Sequence, residues 1–503
     1  MEISWLFSLI FFLLIPIFII LRSLKPIKKQ NLPPGPRKLP IIGNLHQLAS
    51  KKTPPHHLLQ ELSGIYGPIM HLRLGEIPTV VISSPDLAKL VMRAHDANFA
   101  TRPQLMMGKE LYYDYSDMGL APYGEYWRQV RKIATLELFT ARRVQVFRDM
   151  REEEATNFVK SIASEAAQGG LVNLSERVFG LIFDLTSRTV FNEKGKDQAA
   201  FRALTTLMSK VSSGFAIADL FPSIKLLHSI DGMKKKVKEM VEESNRILDP
   251  IIQLHKYKMK EGKVHQEEDL VDVLLKFHKD DPDDSEFSLT TNNIKAIILE
   301  IFGAGTETSS TIIEWVMAEL IKNPNAMETA QNEVRQVYQG KGTIDETNLD
   351  ELKFLKVVIK ETLRLHPPVP LLIPRESIEQ CQIRSYDIPS KTRVLVNVRA
   401  IGRDPEYWWE PNTFKPERFE GCSIDYKGND FEFIPFGAGR RMCPGMALGV
   451  ANIQLPLAML LYHFDWKLPN GIRHEDLNMD ELFGITVRRK CELHLVPIPY
   501  EYS

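Results

Sequence analysis

Cysteine is scarce: four in 503 residues, with no Cys-x-x-Cys pair and no Cys-x-x-Cys-His. That excludes a disulfide framework, a thiolate zinc site and covalent haem attachment, and it suits a reducing, cytosol-facing compartment. Charge of one sign is missing too. Against 64 Asp and Glu stand 63 Lys and Arg, a formal net charge of −1, so no nucleic-acid partner is expected. No Gly-x-Gly-x-x-Gly occurs. The nearest approaches, Gly303-Ala-Gly305 and Gly437-Ala-Gly439, want both the third glycine and the strand-turn-helix context, so the chain carries no dinucleotide site of that kind. Internal repeats, low-complexity tracts and Gly/Ser-rich linkers are also absent. With 44% apolar residues there is enough for one sizeable core.

What is present begins with a targeting element. Ile3 to Leu21 is nearly all apolar, interrupted by Ser4, Ser8 and Pro16, and its 19 residues just span a bilayer. Arg22, Lys25, Lys28 and Lys29 follow and hold that side in the cytoplasm. No basic region precedes the run and no small-residue cleavage site closes it, which disfavours a cleaved signal peptide. The expected organisation is a single-pass anchor over residues 1–22, a basic and proline-rich hinge over 23–40, and one globular body over 41–503. Within the hinge, Leu32-Pro-Pro-Gly-Pro36 favours stiff polyproline geometry.

Short β-like stretches at Ile69 to Leu74, Thr79 to Ser83, Gln382 to Ile383, Val394 to Val398 and Glu492 to Pro497 lie between long helical patterns. The fold class is therefore mainly α with small β-sheets, in a single domain. Asp280 to Asp284 reads as a solvated loop and Lys234 to Lys238 as a helix face in water. The longest helical pattern runs from about 291 to 322, roughly 48 Å at 1.5 Å per residue, and Pro324 ends it. Its apolar face gives way in the middle to Gly303-Ala-Gly-Thr-Glu-Thr-Ser-Ser-Thr311. Small residues there admit a flat ligand close to the backbone, and the hydroxyls can bend the helix.

Cys443 sits in Phe433-Ile-Pro-Phe-Gly-Ala-Gly-Arg-Arg-Met-Cys-Pro-Gly445, among glycines, arginines and proline rather than in an apolar pattern. Gly437 and Gly439 free the backbone to turn tightly. Arg440 and Arg441 place positive charge beside the thiol, and a helix predicted from Met446 to Leu461 adds its N-terminal partial charge. The expectation is a stabilised thiolate. Axial ligation of haem iron fits such a sulfur, because its electron donation favours O–O cleavage. Cys381, Cys422 and Cys491 read as small buried hydrophobes.

The cysteine run resembles the haem-binding signature of the cytochrome P450 family, Phe-x-x-Gly-x-Arg-x-Cys-x-Gly, through Phe436, Gly439, Arg441, Cys443 and Gly445. Gly437 falls inside the same run. Ala304-Gly-Thr-Glu-Thr-Ser309 resembles the family's oxygen-binding motif, with Gly305 as its glycine, Glu307 at the acidic position and Thr308 at the threonine. O–O heterolysis consumes two protons, so a hydroxyl that orders water and a carboxylate that passes a proton would supply a relay. Glu361 and Arg364, followed by Phe414-Lys-Pro-Glu-Arg-Phe419, resemble the family's charge triad, which makes Glu361, Arg364 and Arg418 structural. The resemblance further assigns Trp127, Arg131, Arg102, Arg375 and Arg441 to the haem propionates.

The resemblance runs from about Leu32 to Pro497, and local wording such as Ala400-Ile-Gly-Arg-Asp404 is similar to plant microsomal members acting on terpenoids and alkaloids. Arg399 departs from them, because those relatives usually carry tryptophan there. The implied protein has the cytochrome P450 fold, haem b held by Cys443, and electrons from an NADPH-cytochrome P450 reductase. It would sit on the endoplasmic reticulum membrane facing the cytosol and use O2 to hydroxylate or epoxidise a hydrophobic plant metabolite. A terpenoid is expected first, and an alkaloid or phenolic second. The expected pocket draws on Leu105, Met106, Met107, Phe215, Ile301, Val369, Leu371, Leu372, Phe483 and Ile485. A haem-thiolate isomerase or dehydratase is the alternative enzyme class. Relatives of that kind generally lack the acid-threonine pair, so Glu307 and Thr308 count against it. A non-catalytic haem sensor is disfavoured by the presence of every reaction motif.

Overall fold

The computed structural model describes residues 30–501, apart from 51–52, 196–197, 226, 228–231, 263–267, 280–286 and 342–343. The anchor segment 1–22, most of the basic part of the hinge and the acidic loop 280–284 lie outside the described residues. The principal helices are α1 (Pro55–Tyr66), α2 (Glu125–Glu137), α3 (Arg148–Ala167), α4 (Leu174–Phe191), α5 (Gln198–Val211), α6 (Met233–Lys260), α7 (Thr291–Lys322), α8 (Pro324–Tyr338), α9 (Lys353–Leu365) and α10 (Met446–His463). Strands are short: β1 (Ile69–Leu74), β2 (Ile77–Ile82), β3 (Val172–Asn173), β4 (Arg375–Glu376), β5 (Cys381–Ile383), β6 (Tyr386–Ile388), β7 (Arg393–Val396), β8 (Phe464–Lys467), β9 (Glu481–Leu482), β10 (Arg488–Arg489) and β11 (His494–Pro499).

Helix α7 has the bounds its local signals predict. Thr290 caps it: its hydroxyl accepts the Asn293 N–H while the Asn293 side chain accepts the Thr290 N–H. The chain leaves the helix at Asn323, before Pro324 opens α8. Its two apolar halves enter different cores. Ile294 to Phe302 packs with residues of α2, α5 and α6, while Ile312 to Ile321 packs with α3, α8, α9 and α10. The small and hydroxylated stretch from Gly303 to Thr311 falls at the junction, which is where the cavity described below opens.

Sheet order β1-β2-β7-β4 places β2 parallel to β7 and the other neighbours antiparallel. Strand β2 starts two residues before the expected Thr79, with Pro78 opposite Arg73 at its margin. Strand β7 stops at Val396 instead of Val398 because the Asn397 side chain caps a helical turn, Val398–Ile401. The strands not foreseen, β3, β4, β6, β8, β9 and β10, are two to four residues long, so alternation has no room to show.

Two further expectations meet the fold differently. Lys234, Lys235, Lys236 and Lys238 lie on the exposed face of α6, as expected. Of the three cysteines expected to be buried, Cys381 and Cys422 are only half-buried and Cys491 is exposed, because the margins that carry them are polar and thin. Among the described residues, α10 has the length and composition to cross a membrane, but Leu455 to Tyr462 are buried against α3, α7 and α8, so it is a core helix.

Candidate active site

The loop before α10 is wound by its glycines. Gly437 and Gly439 have φ of +72° and +70°, and the Cys443 N–H closes the turn onto the Phe436 carbonyl at 2.9 Å. A Cβ on Gly439 would meet the Met92 carbonyl oxygen at 2.2 Å, so that position is glycine by contact as well as by dihedral. Cys443 lies deep in the protein, and the surface it exposes faces a cavity of about 280 Å³. The thiol departs from the expectation. Burial pushes its pKa up, outweighing the Gly445 N–H and the Arg131 cation, which pull it down. Arg440 is turned to Asp96 and Tyr123, and Arg441 to three carbonyls, so neither supports a thiolate. Arg131, from α2, does. Its Nη2 also donates to the Met442 carbonyl at 2.6 Å. A sulfur held this way ionises when a bound metal supplies the opposing charge.

All five expected propionate partners line this cavity: Arg102, Trp127, Arg131, Arg375 and Arg441. Arg102 donates to Gly119, Ile373 and Pro374 carbonyls, and Arg441 donates to those of Ala100, Met118 and Ala121 while stacking 4.3 Å from the Trp127 ring. The Trp127 Nε1–H reaches the Met118 carbonyl at 3.0 Å. Arg375 donates to Asp96 Oδ1 at 3.1 Å and to the Ala438 carbonyl at 2.9 Å.

Burial, then repulsion from Arg441 and Arg375, drives the Arg102 pKa down, and Arg441 is brought to about 9 by burial first and Arg375 next. The carboxylates nearby are poor counter-ions. Asp117 and Glu300 are both pushed up, chiefly by burial, with the Asp117 charge adding to the effect on Glu300. Three buried guanidiniums and the half-buried Arg131 around one cavity therefore leave a positive excess that a ligand bearing carboxylates would offset. The donor set and the cysteine together fit haem b.

Opposite the cysteine, Ile301, Ala304, Gly305 and Thr308 of α7 form one wall, with Val369, Leu372 and Ile373 beside them. The Thr308 hydroxyl donates to the Ala304 carbonyl at 2.6 Å. A Cβ on Gly305 would make only an ordinary contact with Thr186 of α4, at 3.7 Å, so the helix crossing does not by itself demand glycine there. Glu307 does not line the cavity. One residue along the helix is about 100° of rotation, and its buried carboxyl faces the Ser209 hydroxyl of α5 and Arg488 of β10. Burial lifts its pKa to about 7, with Arg488 and Ser209 opposing.

Of the expected pocket residues, Ile301, Val369 and Leu372 reach the cavity. Leu105 and Met107 are core, Leu371 packs in the cluster around Leu72 and Leu395, and Phe215 meets Phe483 edge-on at 5.8 Å away from it.

Behind the cysteine loop, Glu361 accepts from Arg364 Nε and Nη2 at 2.8 Å each, from Arg418 Nε at 2.9 Å and from the Lys415 N–H at 2.8 Å. All three charged side chains are within 1% of full burial. Three acids escaped sequence reasoning. Asp96 links Arg375 to the cysteine loop, and Asp117 caps the turn at Leu120. Glu300 accepts the Met118 N–H at 2.6 Å. Only Glu300 carried a usable signal, since 300, 304 and 308 share one helix face.

Comparison with known proteins agrees with this geometry. A family model described as Cytochrome P450 matches residues 33–492. The chain is 51% identical to desmethyl-deoxy-podophyllotoxin synthase of Sinopodophyllum hexandrum, covering 96% of this chain and 95% of the relative. It is 47% identical to premnaspirodiene oxygenase of Hyoscyamus muticus, covering 98% and 99%. A solved zebrafish cytochrome P450 with abiraterone superposes with a TM-score of 0.73 at 25% identity, over 89% of this chain and 100% of the other.

Proposed function

The chain belongs to the cytochrome P450 family, and from that premise we propose that it is a membrane-anchored monooxygenase that oxidises a hydrophobic plant metabolite of the terpenoid class. Family membership makes it a haem-dependent monooxygenase supplied with electrons by a redox partner. When bound, haem b contributes the binding and reductive activation of O2.

In the proposed arrangement Cys443 Sγ would hold the haem iron, with the Gly445 N–H and Arg131 stabilising the negative charge of the sulfur. Arg102, Trp127, Arg131, Arg375 and Arg441 hold the cofactor's carboxylates. The Thr308 hydroxyl, at the cavity wall, would order water inside the cavity. Glu307, one residue on and turned out of the cavity toward Ser209 and Arg488, holds a proton near neutral pH that would reach that water only through intervening solvent.

The observation that carries the substrate reading is the apolar wall of Ile301, Ala304, Val369, Leu372 and Ile373. Such a wall desolvates a hydrocarbon and offers an ionised group nothing to pair with. Similarity to a premnaspirodiene oxygenase is in keeping with that class, while comparable similarity to a tabersonine 16-hydroxylase of Catharanthus roseus keeps an alkaloid as the second reading.

Membrane attachment rests on residues 1–22 and on a second feature. Exposed Leu39, Ile41 and Ile42 lie at the end of the hinge, and exposed Ile217 and Ile224 lie near them. The two segments meet at the β1–β2 turn, where the Gly75 N–H donates to Ile42 and the Glu76 N–H to Leu220. An apolar patch that follows the anchor closely in sequence supports seating on the endoplasmic reticulum surface, with the catalytic body and an NADPH-cytochrome P450 reductase in the cytosol.

The test is turnover in microsomes that hold the protein and such a reductase, under labelled O2, with a panel of terpene hydrocarbons, indole alkaloids and phenolics. The expected result is an NADPH-dependent terpenoid product carrying one labelled oxygen atom. Turnover of alkaloids or phenolics alone would overturn the substrate class. Product formed without NADPH would overturn monooxygenation in favour of isomerase chemistry.

A further inference from the structure

Away from the cavity, two consecutive histidines of α1 converge on one carboxylate from the far end of the chain. Glu481 Oε2 accepts from His56 Nε2 at 2.6 Å and from His57 Nε2 at 2.9 Å. One candidate ligand atom from each of the three residues lies within 4.8 Å of the other two. The side chains of His56 and Glu481 are 1% and 10% exposed, whereas that of His57 is 29% exposed and opens the group to solvent.

Two imidazoles and a carboxylate are a borderline donor set that suits zinc(II) and leaves a fourth position for water. Tetrahedral coordination needs the ligand atoms roughly 3.3 Å apart at metal–ligand distances near 2.1 Å, so shifts of under about 1 Å convert the hydrogen-bonded group into a metal site.

The other cluster of this type among the described residues, His255 with Asp269 and Asp272, is built differently. Both ring nitrogens of His255 are hydrogen-bonded, to the Ile251 carbonyl and to Asp269, and Asp269 caps a helix.

We propose that His56, His57 and Glu481 form a binding site for a divalent transition metal of the zinc class, which ties α1 to the β9–β10 hairpin. The hairpin's connection already reaches the cavity margin. Phe483 stacks 5.9 Å from the His56 ring, the Ile485 N–H donates to Ser209, and the Val487 N–H donates to Pro368, which lines the cavity. A metal here cross-links segments more than 420 residues apart in sequence. Affinity is limited by two features. His56 Nδ1, which must carry the ring proton once Nε2 ligates, has no hydrogen-bond partner among the described residues, and Arg399 places positive charge near Glu481. Missing outer support of this kind weakens a site by about 10- to 100-fold, which sets the expected Kd in the micromolar range.

The test uses the full-length, tag-free, haem-loaded protein after chelation, titrated with ZnCl2 by calorimetry. One equivalent of zinc should bind with micromolar Kd, and binding should weaken at least tenfold in both Glu481→Gln and His57→Ala, with their haem spectra unchanged. Equal zinc binding in wild type and both variants, or none in wild type up to millimolar zinc, would overturn the proposal. Should either variant fail to take up haem, carbethoxylation of wild type read by mass spectrometry decides. Zinc should protect His57, and unchanged labelling at saturating zinc would overturn the site.

Discussion

Asp96 ties the ring of cations to the cysteine loop, and asparagine at that position tests the linkage. Its Oδ1 accepts from Arg375 Nη1 at 3.1 Å; its Oδ2 accepts from the Arg440 backbone N–H at 2.9 Å and from Arg440 Nη1 at 3.2 Å. The Arg375 and Asp96 side chains are 4% and 5% exposed, so water screens that pair little, whereas Arg440 is half exposed. Breaking a buried pair costs about 3–5 kcal/mol; asparagine keeps one acceptor oxygen, so about 2–3 kcal/mol is expected, with under about 1 more from the exposed partner. At about 2.1 cal/mol/K per residue, a chain of 503 residues loses about 1 °C of Tm per kcal/mol. Asp96→Asn should therefore lower the Tm of the haem-loaded protein by about 3 °C, followed through loss of the Soret band. Arg375→Gln should cost a similar amount, and the double variant should show a coupling of at least about 1.5 kcal/mol. A Tm within 1 °C of wild type, or costs additive to within about 0.5 kcal/mol, would refute the linkage.

Four other substitutions test separate parts of the site. Folded Glu307 binds its proton more tightly than the ordinary carboxyl at 4.5, so its contribution to stability is full below that pH and is lost as pH rises through about 7. Glu307→Gln should accordingly gain on wild type between pH 5 and pH 8 in denaturant melts, by up to about 3 kcal/mol, and should flatten the turnover profile near neutrality. Gly439→Ala forces a Cβ to 2.2 Å from the Met92 carbonyl and should abolish haem loading. Gly437→Ala meets nothing nearer than 3.8 Å and should lose only about 1–2 kcal/mol for its left-handed backbone; equal haem content in the two variants would contradict the contact. Thr308→Ala should keep consuming NADPH while its product yield falls several-fold and hydrogen peroxide rises; unchanged coupling of NADPH to product would remove Thr308 from the relay.

Much of this was legible because its determinants are local. The bounds of α7 follow from Thr290, Asn293 and Pro324, all within a few residues of the ends they set. The cysteine turn follows from glycines whose positive φ no other residue adopts cheaply. Glu361 and Arg364 meet because three residues on a helix share a face. What stayed hidden depends on partners far along the chain. Asp96 finds Arg375 279 residues away, and no spacing announces that pair. The facing of Glu307 turns on helix phase against α5 and β10, which a motif does not encode. The charge around Cys443 is set at a distance in the same way. Adjacent arginines point away, and the cation that matters comes from α2. Arg399, puzzling in sequence, is held by Gln60 and by the charge of Glu481.

The account's central claim is that Cys443 is the axial thiolate of a haem. The carbon monoxide difference spectrum of the dithionite-reduced protein in membranes tests it most directly, with Cys443→Ala alongside. The prediction is a strongly red-shifted Soret band in the wild type and its complete loss in the variant. A wild-type band at the position typical of a neutral axial ligand, no haem band in folded protein, or a red-shifted band that survives Cys443→Ala would contradict the account.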